Sequence, residues 1–274
     1  MRLVTVATQS EAYFPYLLKS CARFRAQLDV LGWGQKWRGF TWRSHLLVDY
    51  LNKLDDDEIV CVIDAYDVLL LRPLDELEQA FREFHARTRY EIVAGCETAS
   101  SFTHGLHMKW LFGTCRNKYV NAGTYVGFAR ALRDLVAGVL RLSEGDMAAD
   151  DQQLLTLYCS GTPGGANMYM DCPNDFFLTL SGNSDTPTSL QVKDGQLTFG
   201  NKRPFLIHAN AQVNINDIVC QLGYRMSDRE QYRLKKYILD TNHKKFFDYL
   251  PRYYACFLMV ACCCVFAVLK LRGW

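Results

Sequence analysis

Two carboxylates, Asp64 and Asp67, follow an apolar run in the first quarter of the sequence. The run is Ile59–Ile63, and its mostly β-branched residues predict a short buried strand. Ligands of open α/β sheets bind at the carboxyl ends of the strands. Carboxylates at such a place suit a hard divalent cation, which can offset the charge that develops on a diphosphate leaving group. The pair is therefore a candidate metal anchor.

Two other interpretations of this pair stay open on the residues alone. An aspartate at a strand end is a common turn-forming residue. A strand followed by an aspartate also begins phosphatases of the haloacid dehalogenase type. Those enzymes place the second aspartate two residues after the first, whereas Asp67 stands three residues after Asp64, and the downstream lysine motif is missing. The spacing favours the metal anchor over the phosphatase.

Further polar residues stand where predicted elements begin or end. Asn121 lies in a glycine-containing segment before a predicted strand, where a short amide could bind sugar hydroxyls or simply form a turn. Asp150 and Asp151 precede a helical pattern, a position where acids also interact favourably with the helix dipole. His208 ends an apolar run, and a lone histidine at a strand end is ordinarily structural.

The elements that would position these residues alternate between apolar strands and amphipathic helices. This alternation predicts an α/β fold with a mostly parallel sheet covered by helices. One predicted helix begins at Pro73 and another covers residues 129–142, each with apolar residues repeating on one face. The predicted strands cover residues 3–7, 27–31, 59–63, 92–94, 124–128, 176–180 and 205–208.

Composition limits the class of protein. The chain has 274 residues, of which 49% are hydrophobic and 22% charged, so it can form one large domain with a substantial core. Its formal net charge is +2 without a basic stripe, which argues against a nucleic-acid-binding protein. The eleven cysteines show no regular spacing, and no C-x-x-C pair lies outside the C-terminal tail. We therefore expect free thiols in a reducing compartment and no zinc site.

An uncharged apolar run covers residues 253–269 and is flanked by Arg252, Lys270 and Arg272. As a helix it spans about 25 Å, slightly less than a hydrocarbon core of about 30 Å. The basic flanks and the aromatic residues at both ends favour a membrane anchor over a buried core helix. The predicted domains are a main domain (1–225), a juxtamembrane helix and linker (226–252) and a transmembrane tail anchor (253–271).

Taken in order, these segments resemble the glycosyltransferase domain at the N-terminus of procollagen lysyl hydroxylases and, more distantly, the procollagen galactosyltransferases. The resemblance covers roughly residues 1–225, and the order and spacing of the motifs make it specific. The motifs are Val4-Thr-Val-Ala-Thr8, Leu31-Gly-Trp-Gly34, Trp37-Arg-Gly39, Asp64-Ala-Tyr-Asp67-Val68, Asn121-Ala-Gly123, Gly127-Phe128-Ala129, Asp150-Asp151-Gln152 and Ile207-His208-Ala-Asn210.

The resemblance implies a GT-A fold, a UDP-sugar donor and Mn²⁺. It implies that Asp64 and Asp67 form the acidic motif for the metal and the ribose, and that His208 completes the metal ligands. Imidazole suits Mn²⁺ better than Mg²⁺. It further implies that Thr8 and Tyr66 hold the uracil ring, that Asn121 and Asn210 contact the donor, and that Asp150 and Asp151 act in the transfer.

The chain departs from the family pattern in two places. Ala209 and Ala211 replace glycines that let the backbone approach the phosphates, which puts the pyrophosphate pocket in doubt. The loop after Trp37 is short and lacks the glycine-rich stretch and the lysine of the family. We therefore transfer no donor-binding residue onto this loop.

With the apolar tail, the resemblance implies a tail-anchored glycosyltransferase that transfers a hexose from a UDP-sugar to a protein or glycan hydroxyl. It suggests glucose as the first choice, galactose as the second, and retention of configuration. We expect the catalytic domain on the cytosolic face, because strand one begins at Leu3 with no room for an export signal and the cysteines look unpaired. A non-catalytic module that binds a sugar nucleotide or a partner is the main alternative. A haloacid dehalogenase phosphatase is the second.

Overall fold

The structure, a computed structural model, describes residues 1–99, 102–161, 167–180, 189–210 and 213–241. They fall into two compact units, Met1–Ser227 and Asp228–Trp274. In the second unit the described residues, 228–241, are helical. All of the predicted site residues belong to the first unit.

The strands of the first unit form two sheets and a hairpin. A six-stranded sheet has the order β2-β1-β3-β6-β5-β7, a three-stranded sheet has the order β4-β11-β8, and β9 pairs with β10. In chain order the strands are β1 (Arg2–Val6), β2 (Leu28–Leu31), β3 (Ile59–Ile63), β4 (Val68–Leu70), β5 (Ile92–Glu97), β6 (Tyr119–Phe128), β7 (Met168–Asp171), β8 (Phe177–Thr179), β9 (Leu190–Lys193), β10 (Gln196–Phe199) and β11 (Leu206–His208).

The large sheet is mixed. Strand β1 runs parallel to β2 and β3, and β5 runs parallel to β7, whereas β6 is antiparallel to both of its neighbours. All five residues of β3 are buried, as expected for a central strand covered on both faces. The prediction of an α/β fold with flanking helices is confirmed. In this sheet, parallel strand pairs outnumber antiparallel ones.

The helices cover the sheets as the apolar periodicity predicts. Pro73 directly precedes α3, whose Leu77 and Phe81 are fully buried, and the predicted helix over 129–142 is α5. The core includes residues of α2, α5 and α6 beside the large sheet. The helices described in the first unit are α1 (Phe14–Arg23), α2 (Phe40–Leu51), α3 (Leu74–Thr88), α4 (Phe102–Phe112), α5 (Ala129–Leu142), α6 (Asp151–Gly161) and α7 (Asn216–Gln221).

The small sheet brings the end of β11 to the acidic motif. His208 in β11 is paired with Val68 in β4, antiparallel, and the carbonyl of Asp67 accepts the N–H of Ala209 at 2.7 Å. Because Asp67 immediately precedes β4, this pairing sets His208 beside the segment that joins β3 to β4.

One element differs from the sequence-based expectation near the site. Asn121 lies within β6, which begins at Tyr119, whereas the sequence pattern suggested a turn followed by a strand from residue 124. The polar and small residues at 121–123 resemble a turn in sequence. In the fold the N–H of Gly123 donates to Asn121 Oδ1 and its carbonyl accepts the N–H of Asp64, and the strand continues through these residues.

None of the helices in the described part of the chain is long and apolar enough to cross a membrane. The anchor predicted over residues 253–271 lies outside the described residues, as does the part of the predicted linker beyond residue 241. Membrane attachment stays a prediction.

Two disulfides correct the expectation of free thiols. Cys96 is bonded to Cys172, and Cys115 to Cys159. The partners are 76 and 44 residues apart, so only the fold brings them together. Disulfides are typical of oxidising compartments. The cysteines therefore no longer support a catalytic domain on the cytosolic face, which stays a prediction. The free cysteines among the described residues are Cys21, Cys61 and Cys220.

We expect the bond between Cys115 and Cys159 to stabilise the first unit. Restricting the unfolded chain with a loop of 44 residues corresponds to about 4 kcal/mol at most. The double variant Cys115→Ser/Cys159→Ser should lose about 2–4 kcal/mol of the free energy of unfolding in chemical denaturation. Cys220→Ser, at an exposed free cysteine, is the control and should unfold like the wild type. Alkylation of both Cys115 and Cys159 in the native, unreduced protein would contradict the disulfide.

Candidate active site

Asp64, Asp67 and His208 lie together where β3, β4 and β11 meet. One ligand atom from each of them lies within 4.8 Å of the other two. The Nε2 atom of His208 is 3.3 Å from Asp67 Oδ1 and 3.6 Å from Asp64 Oδ2. The carboxylates are 33% and 22% exposed for Asp64 and Asp67, whereas the imidazole is 1% exposed. The three side chains are close enough to share one cation, which solvent can reach from the carboxylate side.

A glycine makes this close approach feasible. The carbonyl of Gly123 in β6 accepts the N–H of Asp64 at 2.7 Å, so the β6 backbone runs directly beside the acidic motif. A Cβ atom at position 123 would overlap the ring carbon Cε1 of His208 and the carboxylate of Asp64. Only glycine leaves room for both ligands here.

The imidazole of His208 is oriented by Asn121. Its Nδ1 atom lies 3.0 Å from Asn121 Oδ1, whereas the buried Nε2 atom has no hydrogen-bond partner in the described part of the chain. A buried polar nitrogen without a partner is costly, and one that faces two carboxylate oxygens needs a proton or a cation between them. The three residues therefore fit a divalent cation.

Protons and a cation compete for His208. Burial lowers the pKa of the imidazole, but Asp67, Asp64 and Glu97 outweigh this effect and raise the pKa above its ordinary value. A metal ligand must be unprotonated, so cation binding at this site releases a proton when the imidazole is charged.

Arg43 of α2 joins the acidic motif to the start of α6. Its Nη2 atom is 2.7 Å from Asp64 Oδ1, and its Nη1 atom is 2.8 Å from Asp151 Oδ2. The side chain is only 9% exposed, and although burial lowers its pKa, Asp64 and Asp151 outweigh this and raise it. The guanidinium stays charged and holds Asp151 beside the cluster, while Asp64 Oδ2 faces His208.

Asp150 and Asp151 have different surroundings. The Oδ1 atom of Asp150 accepts the N–H of Gln153 at 2.9 Å, which caps the first turn of α6. Asp151 instead pairs with Arg43, and burial raises the pKa of its carboxyl to about 6 although Arg43 acts to lower it. A carboxylate with a pKa near neutrality is suited to accept a proton. The structure thus gives Asp150 a capping contact and places Asp151 at the cluster.

Thr8 and Tyr66 meet beyond the end of β1. The hydroxyl of Tyr66 accepts the N–H of Thr8 at 3.0 Å and donates to the carbonyl of Gln9 at 3.3 Å. The Tyr66 ring is 6.3 Å from the ring of Phe14, which in turn stacks on Trp33. An aromatic surface therefore adjoins the acidic motif, where the donor base is predicted.

The two asparagines predicted to contact the donor differ in accessibility. Asn210 is half-buried two residues after His208. Asn121 is 1% exposed, and both ends of its amide contact the protein, with Oδ1 toward His208 and Nδ2 toward Glu97. These contacts do not support a direct bond from Asn121 to sugar hydroxyls, and its role toward the donor stays a prediction.

Three residues of this site were missed in the sequence. Glu97 had a signal, because it ends the apolar strand β5 as Asp64 follows β3. Gln152 stands within the Asp150-Asp151-Gln152 motif, but nothing in the motif indicates its partner. Arg43 had no signal, since it lies inside a helix and its role depends on where α2 packs.

The structure shows an α/β domain with an acidic pair and a histidine at strand ends, and the family comparison places it in the glycosyltransferase class. Residues 1–228 match the family model described as the PLOD GT domain. The chain belongs to this family, the glycosyltransferase domains of procollagen lysyl hydroxylases, and the resemblance inferred from the sequence is confirmed.

The relatives are much longer proteins. The multifunctional procollagen lysine hydroxylase and glycosyltransferase of Caenorhabditis elegans is 24% identical over 246 residues, which cover 83% of this chain and 33% of that protein. The human protein LH3 is 25% identical over 241 residues, or 81% of this chain and 30% of the relative. The chain thus spans about a third of the length of these curated relatives.

A solved structure also aligns with the chain. It is a glycosyltransferase involved in the glycosylation of the major capsid of PBCV-1, with 11% identity and a TM-score of 0.45. The alignment covers 76% of this chain and 92% of the other.

We expect Arg43→Met to destabilise the first unit, because it leaves Asp64 and Asp151 without their counter-charge. The loss should be about 2–3 kcal/mol, below the roughly 3–5 kcal/mol of a fully buried broken pair, since Asp64 keeps solvent on one side. Mn²⁺ should recover part of this loss in thermal unfolding, because it neutralises the same carboxylates. Arg130→Met, which breaks the exposed pair with Glu91, is the control and should cost at most about 1 kcal/mol. An equal loss in both variants would contradict this account.

Proposed function

We propose that this chain transfers a hexose from a UDP-sugar to a hydroxyl group of a protein or glycan, with the help of a bound divalent cation. The observation that supports this best is the cluster of Asp64, Asp67 and His208, found in a chain of a glycosyltransferase family. Family membership also disagrees with the phosphatase alternative.

Asp64, Asp67 and His208 would hold the cation, for which Mn²⁺ is our first choice. Carboxylates suit both Mg²⁺ and Mn²⁺, while the imidazole shifts the preference away from Mg²⁺. When bound, such an ion supplies positive charge that stabilises the diphosphate of UDP as a leaving group. The exposed sides of Asp64 and Asp67 leave the approach that a diphosphate needs.

The uridine would bind beside Tyr66 and Thr8. The Tyr66 ring offers a stacking surface, and its hydroxyl is held by the backbone of Thr8 and Gln9, so the ring has a defined position before the donor arrives. The acidic motif at the end of a central strand is the arrangement that the family resemblance implies for a GT-A fold.

Asp151 would act on the transferred sugar or on the acceptor. Arg43 holds it beside the cation cluster, and its raised pKa lets the carboxylate accept a proton from an acceptor hydroxyl near neutral pH. Glucose as the first choice of sugar, galactose as the second and retention of configuration rest on the family resemblance.

The first test of this proposal is Asp67→Asn. A screen of UDP-sugars for UDP release should find activity in the wild type that requires Mn²⁺, with UDP-glucose and UDP-galactose tested first. Asp67→Asn should lower this activity by about 100-fold or more, because one ligand loses its charge. Asp175→Asn, at a carboxylate paired with Lys202 away from the cluster, is the control and should stay fully active.

Full activity of Asp67→Asn would show that the cation assignment is wrong. Wild-type protein that binds a UDP-sugar but releases no UDP with any acceptor would instead favour the non-catalytic binding module.

A second test separates the two neighbouring aspartates. Asp151→Asn should lower kcat by about 100-fold while donor affinity stays near normal, because the amide cannot accept the proton. Asp150→Asn is the matched control and should lose far less, since asparagine caps helices as well as aspartate does. Steady-state kinetics with donor binding by calorimetry would measure both. Loss of donor affinity in proportion to activity in Asp151→Asn would place Asp151 in donor recognition.

A further inference from the structure

We propose that Gln152 and the buried Glu97 and Asn121 form a hydrogen-bonded network that holds Nε2 of His208 as the unprotonated nitrogen of the neutral ring, ready to bind a cation. Asn121 and Glu97 are then positioning residues, and neither of them touches the cation. The proposal rests on the cation site of the proposed function and adds what prepares that site.

Glu97 is the central acceptor of these hydrogen bonds. Its Oε1 atom accepts hydrogen bonds from Asn121 Nδ2 at 3.0 Å and from Gln152 Nε2 at 2.9 Å. A carboxylate can only accept, so both amide groups must turn their nitrogens toward it. This fixes which end of the Asn121 amide faces His208.

The far end of Asn121 then determines the state of the imidazole. Its Oδ1 atom accepts the N–H of Gly123 at 2.9 Å and lies 3.0 Å from His208 Nδ1. An amide oxygen cannot donate, so Nδ1 must carry a proton. In the neutral ring the lone pair is therefore on Nε2, the atom that faces Asp64 and Asp67.

The opposite tautomer is strongly disfavoured. It would require the Asn121 amide to flip, which sets its oxygen against the carboxylate of Glu97 and its NH₂ group against the N–H of Gly123. Each lost buried hydrogen bond costs about 1–3 kcal/mol. Asn121 and Glu97 are 1% and 7% exposed, so water has little access to replace these bonds.

The tautomer decides whether Nε2 can bind a cation or is closed off by a hydrogen bond to Asp67. With a proton on Nε2, the imidazole would donate to Asp67 Oδ1, 3.3 Å away, and its ligand atom would be blocked. The hydrogen bonds of Asn121 and Glu97 prevent this in the neutral ring, much as outer-shell partners orient metal-binding histidines in general. The network also reaches α6 through Gln152, the residue next to Asp151.

The test is a titration of the full chain with Mn²⁺ in the absence of donor, in which electron paramagnetic resonance measures the free ion. Asn121→Ala should bind Mn²⁺ about 10–100-fold more weakly than the wild type. Glu97→Gln is the conservative control and should keep most of the affinity, because its carbonyl oxygen can accept both hydrogen bonds.

The second readout is the tautomer of His208, from ¹⁵N NMR of histidine-labelled, cation-free protein at a pH where the imidazole is neutral. His208→Gln identifies the signals. The wild type and Glu97→Gln should carry the proton on Nδ1, whereas Asn121→Ala should show protonated Nε2. A residue that only stabilised the fold would change neither the tautomer nor the affinity of the folded protein. If Asn121→Ala does not fold, Glu97→Met replaces it, with a weaker expected effect in the same direction.

Two results would overturn the proposal in different ways. If the folded wild type binds no Mn²⁺, the cation site itself is wrong and the proposed function fails with it. If the wild type binds Mn²⁺ and the variant binds it equally well with the proton still on Nδ1, only the positioning role is wrong.

Discussion

Negative charge concentrated at one end of the sheet is the constraint on which the site depends. Ligand oxygens of Asp64 and Asp67 lie within 4.8 Å of each other. Asp151 is joined to Asp64 through Arg43, and Glu97 is linked to His208 through Asn121. Arg43 compensates two of these carboxylates through its contacts with Asp64 and Asp151. Negative charge from Asp67, Asp64 and Glu97 remains near His208, which explains why the pKa of its imidazole is raised despite complete burial. A divalent cation would complete this balance, and the proposed chemistry follows from it.

The fold imposes this concentration through short connections. Only four residues, Asp64 to Asp67, connect the end of β3 to the start of β4. Both aspartates must therefore stay at the same corner of the sheet. Pairing of β4 with β11 then delivers His208 to that corner, and Gly123 in β6 leaves the room for it. The bond between Cys96 and Cys172 ties the end of β5, next to Glu97, to the segment after β7. The site is thus held by neighbouring strands, and flexible loops are not needed to assemble it.

The sequence allowed a good part of the fold to be predicted, because its signals are local. Pro73 and the apolar repeat predicted α3, and the apolar run Ile59–Ile63 predicted the strand that carries Asp64. His208 was different, since nothing local separates a ligand from a structural histidine, and only the family resemblance singled it out. Arg43 and the two disulfides depend on residues distant in the chain that meet only in the fold. Asn121 was expected in a turn because a buried asparagine needs hydrogen-bond partners, and none was evident near it in the sequence. Its partners in the fold, Glu97 and His208, are distant in the chain.

The most direct measurement of the central claim is anomalous diffraction at the manganese edge from crystals of the full chain grown with Mn²⁺ and UDP. The account predicts an anomalous peak within bonding distance of Asp64, Asp67 and Nε2 of His208, with the diphosphate of UDP completing the coordination. A peak bound through other residues, or UDP seated in the site with no ion beside these three side chains, would contradict it.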